Sequence, residues 1–305
     1  MKYVIIGAGG TGGNIGAFLQ AAEKDTTFIA RGQHLAVMQE KGLKINSFLK
    51  GKMFLENLKA YDMESYSEKA DVIFVCVKGY SIEETVSFIK KASHENTLVI
   101  PILNIFGTGD HLAAQLEEIK VLDGCIYIVG YISAPGEIVQ DGHIFRIVFG
   151  PRAEQPIEKE LLQTVERDLI ESGIDVVVSD NIKRDTFQKF SFISSYAATG
   201  AYYDVTAQEI QRPGACRDTF ILLVKEIESI AAAMGISFNF NVVDKNLAIV
   251  DALIPETTAS MQKDIIKGGN AEIDGLIFEV VRLAAQYGIK APEHYKIAKH
   301  FGFEA

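Results

Sequence analysis

The sequence has little of what several functional classes require. Its three cysteines, Cys76, Cys125 and Cys216, are far apart and form no Cys-x-x-Cys pair, which argues against a disulfide framework and against a zinc site. Lysine and arginine total 30 against 40 aspartates and glutamates, a formal net charge of -10, so the positive charge that nucleic-acid binding needs is missing. No apolar run reaches the length of a membrane span. We therefore expect a cytoplasmic protein with no nucleic-acid, membrane or metal partner.

What the first 180 residues do contain is an alternation of strand-like and helix-like segments. Short apolar runs such as YVII (residues 3–6) and DVIFVCVK (residues 71–78) are typical of buried strands. The segment SIEETVSFIKKA (residues 81–92) has the apolar spacing of an amphipathic helix. This alternation favours a parallel, doubly wound α/β sheet.

From about residue 121 the pattern changes. The segments VLDGCIYIVGYI, SAPGEIVQDG and HIFRIVFGP indicate antiparallel strands joined by a Pro135-Gly136 turn and an Asp141-Gly142 turn. Mixed sheets of this kind are common at the edge of α/β domains. After residue 180 helical periodicity takes over, in five segments: residues 186–203, 218–234, 242–253, 258–266 and 272–287. The predicted fold is α/β with a second, all-helical domain, divided into residues 1–180 and 181–305.

Six glycines fall within the first sixteen residues, directly behind a strand and ahead of a helix. A G-x-G-x-x-G pattern covers Gly7, Ala8, Gly9, Gly10, Thr11 and Gly12. In this context it predicts a dinucleotide-binding loop. Gly7 permits the tight turn, Gly9 lets the backbone approach the diphosphate, and Gly12 lets helix and strand pack closely. The alternative is a glycine-rich turn without a ligand.

The end of the second strand indicates which dinucleotide is bound. NAD-binding loops carry an acid there, which holds the ribose 2′-hydroxyl. Here Arg31 stands 19 residues after Gly12. A guanidinium suits a 2′-phosphate, so we predict NADP as the cofactor. A solvated arginine without a ligand is the alternative.

Two further polar residues follow strands at the edge where ligands of open α/β sheets bind. Lys78 comes after DVIFVCV, and Asn104 comes after TLVIPIL. We expect Lys78 to offset cofactor charge and Asn104 to hydrogen-bond the nicotinamide ribose or a substrate carbonyl. Each residue taken alone is also compatible with an ordinary strand end.

A lone lysine marks the first long helix of the second domain. Lys189 is the only charged residue in FQKFSFISSYAATGAYY, residues 187–203. Desolvation on such a helix lowers a lysine pKa and makes the group a usable proton donor. The alternative, a lysine whose stem packs while its head reaches water, is equally compatible with the pattern. The six histidines show neither metal-binding spacing nor catalytic partners, and no role is assigned to them.

Several segments together resemble the ketopantoate reductase (2-dehydropantoate 2-reductase) family over nearly the whole chain. They are GAGGTG, ARGQHLAVMQEKGL, VKGYS, LNIFGTG, the FQKF lysine, and SMQKDIIKGGNAEIDGL followed by YGIKAPEH. The resemblance implies a Rossmann-type N-terminal domain, a helical C-terminal domain and a site in the cleft. It also implies NADPH-dependent reduction of 2-dehydropantoate to pantoate, a step toward pantothenate and coenzyme A, by a homodimer.

The resemblance also implies residue roles. Lys189 matches the general acid of the family, and Asn104 matches an asparagine that contacts cofactor and substrate. Ser260 matches a substrate contact, and Glu272 matches a glutamate that contacts the cofactor and orders the site. From the sequence alone, Ser260 is equally a helix-start residue and Glu272 an acid in a first helical turn.

The chain departs from the family pattern where the substrate is held. Family members carry asparagines four and eight residues after the lysine, and here those positions are Ile193 and Ala197. Phe187 replaces a tryptophan, and Asn104-Ile105 replaces an Asn-Gly pair. We therefore expect the same chemistry, with another 2-oxo acid or ketone as the alternative substrate. A non-enzymatic nucleotide-binding module is a third hypothesis, which the isolated lysine disfavours.

Overall fold

The computed structural model describes residues 1–304, and these form two compact units. The first unit contains Met1–Leu103 and Gly107–Ile182. The second contains the chain from Lys183 onward together with Asn104–Phe106. Three residues that follow a strand of the first unit are thus part of the helical unit.

The strands all belong to the first unit. In chain order they are β1 (Lys2–Ile6), β2 (Asp25–Ile29), β3 (Leu43–Ser47), β4 (Gly51–Leu55), β5 (Lys59–Tyr61), β6 (Ala70–Val75), β7 (Ser93–Pro101), β8 (Lys120–Val121), β9 (Asp123–Ala134), β10 (Glu137–Gly150) and β11 (Asp175–Val178). The helices of this unit are α1 (Gly10–Ala21), α2 (Gly32–Lys41), α3 (Ile82–Ala92), α4 (Thr108–Gln115) and α5 (Lys159–Glu171).

A six-stranded parallel sheet forms the centre of the first unit, in the order β5-β2-β1-β6-β7-β8. Its central strand β1 is fully buried from Tyr3 to Ile6, as expected for a continuous apolar run covered on both faces. The predicted parallel, doubly wound sheet is therefore present. The three-residue strand β5 was not predicted, because it is too short to show a periodic pattern.

The antiparallel strands belong to a second, mixed sheet that is separate from the first. This sheet has the order β11-β10-β3-β4, and β9 pairs with β10. The Pro135-Gly136 turn joins β9 to β10 as predicted. The predicted Asp141-Gly142 hairpin turn does not exist; it is a register shift inside β10, with Gly142 at φ +74°. This bulge lets the two halves of β10 pair with different partners, β3 and β11.

The second unit is helical, as predicted. Its helices are α6 (Ile182–Tyr203, the first residue of which belongs to the first unit), α7 (Ala207–Gln211), α8 (Ala215–Ala233), α9 (Val242–Asp251), α10 (Ser260–Ile266), α11 (Glu279–Gln286) and α12 (Pro292–His300). A π-helical segment, Asp274–Phe278, leads into α11. Sequence periodicity missed α7 and α12, although Pro292 in the first turn of α12 is a helix-start signal. No helix within residues 1–304 has the length and apolar character needed to cross a bilayer.

A half-buried carboxylate lies at the start of β9. Asp123 accepts a hydrogen bond from the Gly109 backbone and lies 3.8 Å from the Arg152 guanidinium, which also pairs with Asp110. Burial, helped by the Asp110 carboxylate, raises the pKa of Asp123 to about 6. The ionised form of Asp123 is therefore less favourable in the folded state than in the unfolded chain.

This shift predicts a pH-dependent stability. The pKa of Asp123 is higher in the folded state than in the unfolded chain. Its stabilising contribution to the free energy of unfolding is therefore fully present below pH about 4 and is lost as the pH rises through about 6. The free energy of unfolding of Asp123→Asn, minus that of the wild type, should therefore rise by about 1–3 kcal/mol when the pH is raised from about 4 to about 8. Urea unfolding at both pH values measures this gain. The exposed Asp180→Asn should follow the wild type, and a constant difference between Asp123→Asn and the wild type would refute the prediction.

Candidate active site

Helix α1 explains why so many glycines open the chain. Two of them face the parallel sheet: Gly7 has φ +93°, with the Cys76 carbonyl oxygen 2.9 Å from where a Cβ would lie, and a Cβ on Gly12 would overlap the Gly7 carbonyl oxygen. Gly10 faces the second sheet, where a Cβ would overlap the Gly130 carbonyl oxygen. The close helix–strand packing expected at Gly12 is therefore present, and a second close contact lies on the opposite side of the helix.

The remaining loop glycine has an open environment. A Cβ on Gly9 would meet no atom within 4 Å. Gly9 is the N-cap of the 12-residue helix α1, no side chain caps this end, and the first turn carries no acid. The N-terminus of α1 therefore carries uncapped N–H groups and the positive end of the helix dipole, with open space beside Gly9. These features fit an anionic diphosphate.

Two polar side chains hold this loop, and neither role was predicted from the sequence. Asn14, fully buried, donates from Nδ2 to the carbonyl oxygens of Gly10 (2.6 Å) and Val139 (3.0 Å). His34 bridges the Ala8 carbonyl oxygen (2.9 Å) and a backbone N–H of the β9–β10 turn (3.0 Å). Each side chain makes one contact with the β9–β10 segment, more than 100 positions away, which a pattern of local spacing does not reveal.

The two predicted cofactor cations follow strands on either side of β1. Arg31 is the N-cap of α2, directly after β2, and its side chain is 78% exposed. A weak ion pair with the exposed Glu84, at 3.4 Å, is its contact in the structure. Lys78 is half-buried and precedes a short 3₁₀ turn, Gly79–Ser81, after β6. Since β2 and β6 flank β1 in the sheet, positive charge lies on both sides of the glycine loop.

The second unit buries the lysine of α6. Lys189 is 6% exposed, and its Nζ donates a hydrogen bond to Asn104 Oδ1 at 2.7 Å. No other lysine within residues 1–304 is buried to this extent. The Asn104–Phe106 segment is held against α6 by aromatic packing, with the Phe106 and Phe187 rings edge to face at 4.7 Å. Tertiary packing thus joins two predicted site residues that lie 85 positions apart.

The segment that carries Glu272 packs beside the same residues. Glu272 is buried, and its carbonyl oxygen accepts from the Leu276 N–H at 3.0 Å. The Ile105 side chain fills the space that a Gly275 side chain would take, and Ser194 of α6 donates to the Leu276 carbonyl oxygen at 2.6 Å. The bulky residue after Asn104 is therefore accommodated by the glycine of the π-helical segment, a type of irregularity that is frequent at functional sites.

The remaining predicted substrate contact is more exposed. Ser260 is the first residue of α10, and its side chain is exposed. Ile193 and Ala197 follow Lys189 by one and two turns of α6, so all three lie on one helix face. Ile193 is half-buried and Ala197 is buried. No group of three or more metal-ligating side chains occurs in the described part of the chain.

Together these residues supply two chemical functions. The first unit offers an open helix N-terminus flanked by cations, suited to a phosphorylated nucleotide. The second offers a buried ammonium whose direction is fixed by an amide oxygen, suited to donating a proton.

The chain is similar to known proteins over nearly its whole length. The model of the family "Ketopantoate reductase PanE/ApbA" matches residues 3–154, and that of its C-terminal domain matches residues 181–302. The uncharacterized oxidoreductase YkpB of Bacillus subtilis is 25% identical over 96% of this chain and 95% of its own length. The 2-dehydropantoate 2-reductase of Pyrococcus horikoshii is 26% identical over 97% and 94%.

Solved structures share the fold. A PanE/ApbA family ketopantoate reductase from Ralstonia eutropha superposes with a TM-score of 0.88 at 23% identity, covering 98% of this chain and 97% of the other. A D-mandelate dehydrogenase bound to NADH and anilino(oxo)acetate superposes with a TM-score of 0.86 at 20% identity, covering 98% and 96%. Since models of one family match both halves of the sequence, the chain belongs to the ketopantoate reductase PanE/ApbA family and is a 2-dehydropantoate 2-reductase-like oxidoreductase.

Proposed function

We propose that this protein reduces 2-dehydropantoate to pantoate with NADPH, a step in making pantothenate and coenzyme A. The observation that carries the proposal is the buried Lys189, whose Nζ lies 2.7 Å from Asn104 Oδ1. Burying an ammonium is energetically unfavourable unless its N–H groups are hydrogen-bonded, so a buried lysine indicates a specific role. Reduction of a ketone uses such a group, because the carbonyl oxygen gains negative charge and then a proton.

Each residue has a defined task in this reaction. The nicotinamide, when bound, supplies hydride to the carbonyl carbon of the substrate. Lys189 donates a proton from Nζ to the developing alkoxide. Asn104 Oδ1 accepts a hydrogen bond from a second N–H of the ammonium and so orients the first. Ser260 binds the substrate carboxylate or hydroxyl, and Glu272 contacts the cofactor. General-acid catalysis of this kind contributes about 10²–10⁴-fold to the rate.

The loop residues hold the nucleotide. The backbone N–H groups of Gly9, Gly10 and Thr11 bind the diphosphate at the start of α1. Arg31 binds the 2′-phosphate, and Lys78 offsets the remaining negative charge. The ion pair between Arg31 and Glu84 is exposed at 3.4 Å and therefore costs little to break.

Replacing the lysine tests the chemical step. Lys189→Ala should lower kcat by about 10²–10⁴-fold, because the proton donor is lost, and should leave the Kd for NADPH within about threefold of the wild type. Stopped-flow NADPH oxidation and isothermal titration calorimetry measure the two quantities. Lys183→Ala, which removes an exposed lysine from the same helix, is the control and should keep wild-type turnover. If Lys189→Ala kept more than about one-tenth of wild-type kcat, the assigned role would be wrong.

The cofactor choice is tested at Arg31. Arg31→Gln should raise the Kd for NADPH by about 10- to 100-fold, as expected for loss of a charge-assisted hydrogen bond, and leave that for NADH unchanged. Calorimetry with both dinucleotides gives the ratio of the Kd for NADPH to the Kd for NADH. Lys41→Gln, at the far end of α2, controls for loss of one positive charge. An equal increase in the Kd for both dinucleotides would contradict the assignment of the 2′-phosphate to Arg31.

A second candidate is a 2-oxo acid with an apolar side group. Ile193 and Ala197 share the helix face of Lys189 and offer no hydrogen-bonding atoms to a substrate hydroxyl. Such a surface favours an apolar group such as the phenyl ring of phenylglyoxylate, the oxo form of mandelate, and the fold is shared with a D-mandelate dehydrogenase. The two candidates differ only in the group attached to the reacting carbon.

A substrate panel separates them. If the apolar face sets specificity, kcat/KM should be higher for phenylglyoxylate than for 2-dehydropantoate, and Ile193→Asn should shift the ratio toward 2-dehydropantoate by about tenfold, as one added hydrogen bond allows. Ile254→Asn, at a position that is 72% exposed, is the control. A higher kcat/KM for 2-dehydropantoate supports the first proposal. Dinucleotide binding without turnover on the panel would exclude both.

A further inference from the structure

The imidazole of His34 connects the glycine loop to the turn between β9 and β10. Its Nε2 lies 2.9 Å from the Ala8 carbonyl oxygen, and its Nδ1 lies 3.0 Å from the Gly136 backbone nitrogen. The turn itself is anchored, because the Gly136 carbonyl oxygen accepts from the Lys44 N–H at 2.9 Å. The Val37 side chain, one turn further along α2, occupies the space that a Gly136 side chain would need. Helix α2 is therefore seated on this turn.

The two hydrogen bonds define the protonation of the ring. The Gly136 nitrogen is a backbone donor, so Nδ1 must be the acceptor and carries no proton. The single proton of the neutral ring is then on Nε2, where it is donated to Ala8. Burial lowers the pKa of His34, so the neutral ring is the form present at neutral pH. The imidazole thus acts as a bridge with one donor and one acceptor.

This bridge sets the direction of the next amide. No cis peptide occurs in the described chain, and in a trans peptide the C=O of one residue and the N–H of the next point in opposite directions. A carbonyl of Ala8 fixed toward His34 therefore turns the Gly9 N–H away from it. Among the described residues this N–H has no hydrogen-bond acceptor, and the space around Gly9 is open.

We propose that His34 is a positioning residue for cofactor binding, which holds the Ala8–Gly9 peptide with its N–H aimed at the dinucleotide diphosphate. The proposal rests on the dinucleotide binding proposed above. It assigns His34 no contact with the ligand. We expect its effect to be largest at the diphosphate, since the His34 side chain bonds the backbone of Ala8 and Gly136 and makes no hydrogen bond to Arg31.

The test compares ligands with and without a diphosphate. His34→Leu removes both hydrogen bonds while keeping an apolar side chain of similar size. It should raise the Kd for NADPH by about three- to tenfold, in proportion to one misdirected hydrogen bond, and leave the Kd for 2′-AMP unchanged. His34→Gln, whose amide keeps one donor and one acceptor, should bind NADPH within about threefold of the wild type. Calorimetry measures each Kd, with kcat expected unchanged at saturating NADPH.

The control and the opposing outcomes are distinct. His143→Leu, at an exposed position of β10, should bind both ligands as the wild type does. If the role of His34 were purely structural, His34→Leu would raise the Kd for 2′-AMP as much as that for NADPH. This result, or unchanged NADPH binding in His34→Leu, would overturn the inference about His34 and leave the proposed function standing. If the wild type bound neither NADPH nor NADH, the proposed function would fall and the inference with it. If His34→Leu does not fold, His34→Gln provides the test. Loss of NADPH binding in a folded His34→Gln protein would contradict the proposed hydrogen-bonded bridge.

Discussion

The close approach of helix α1 to two sheets is the constraint on which the first unit depends. On one side Gly12 packs against the Gly7 carbonyl of the loop behind β1, and on the other Gly10 packs against the Gly130 backbone of β9. Contacts of this kind tolerate no Cβ, so the helix keeps its position only while these residues remain glycine. The N-terminus of α1, and the open space at Gly9, are fixed as a result. The nucleotide binding that we propose for this unit is thus a consequence of backbone packing more than of particular side chains.

The second unit has a different feature, a buried charge that donates a hydrogen bond to an amide oxygen. An isolated ammonium in an apolar helical core would be strongly unfavourable. The Asn104 amide oxygen offsets part of that cost and gives the ammonium a direction. The Asn104–Phe106 segment belongs to the helical unit, so the partner is delivered by chain that follows a strand of the other unit. The lysine and its acceptor are therefore built as one packed assembly.

Departures from the family pattern cluster around that assembly. Ile105, which stands where a glycine is usual, is accommodated by Gly275 in the π-helical segment. The larger side chain of Ile105 is thus matched by the absence of a side chain at Gly275, and Asn104 keeps its hydrogen bond. Ile193 and Ala197, by contrast, change the chemistry of a helix face rather than its packing. The packing around the Lys189–Asn104 pair and the polarity of this helix face can therefore change separately.

Local patterns in the sequence determined much of this protein. The glycine loop and Arg31 stand where a strand ends and a helix begins, so spacing alone located them, and the lone Lys189 was visible by the absence of other charges. Tertiary structure decided the rest: whether the antiparallel strands extend the first sheet or form a second one, that β10 passes through Asp141-Gly142 without turning, and that His34 reaches the Ala8 carbonyl. The physical reason is that turns, caps and periodicity arise from neighbouring residues, whereas these outcomes depend on hydrogen bonds and packing between segments far apart in the chain.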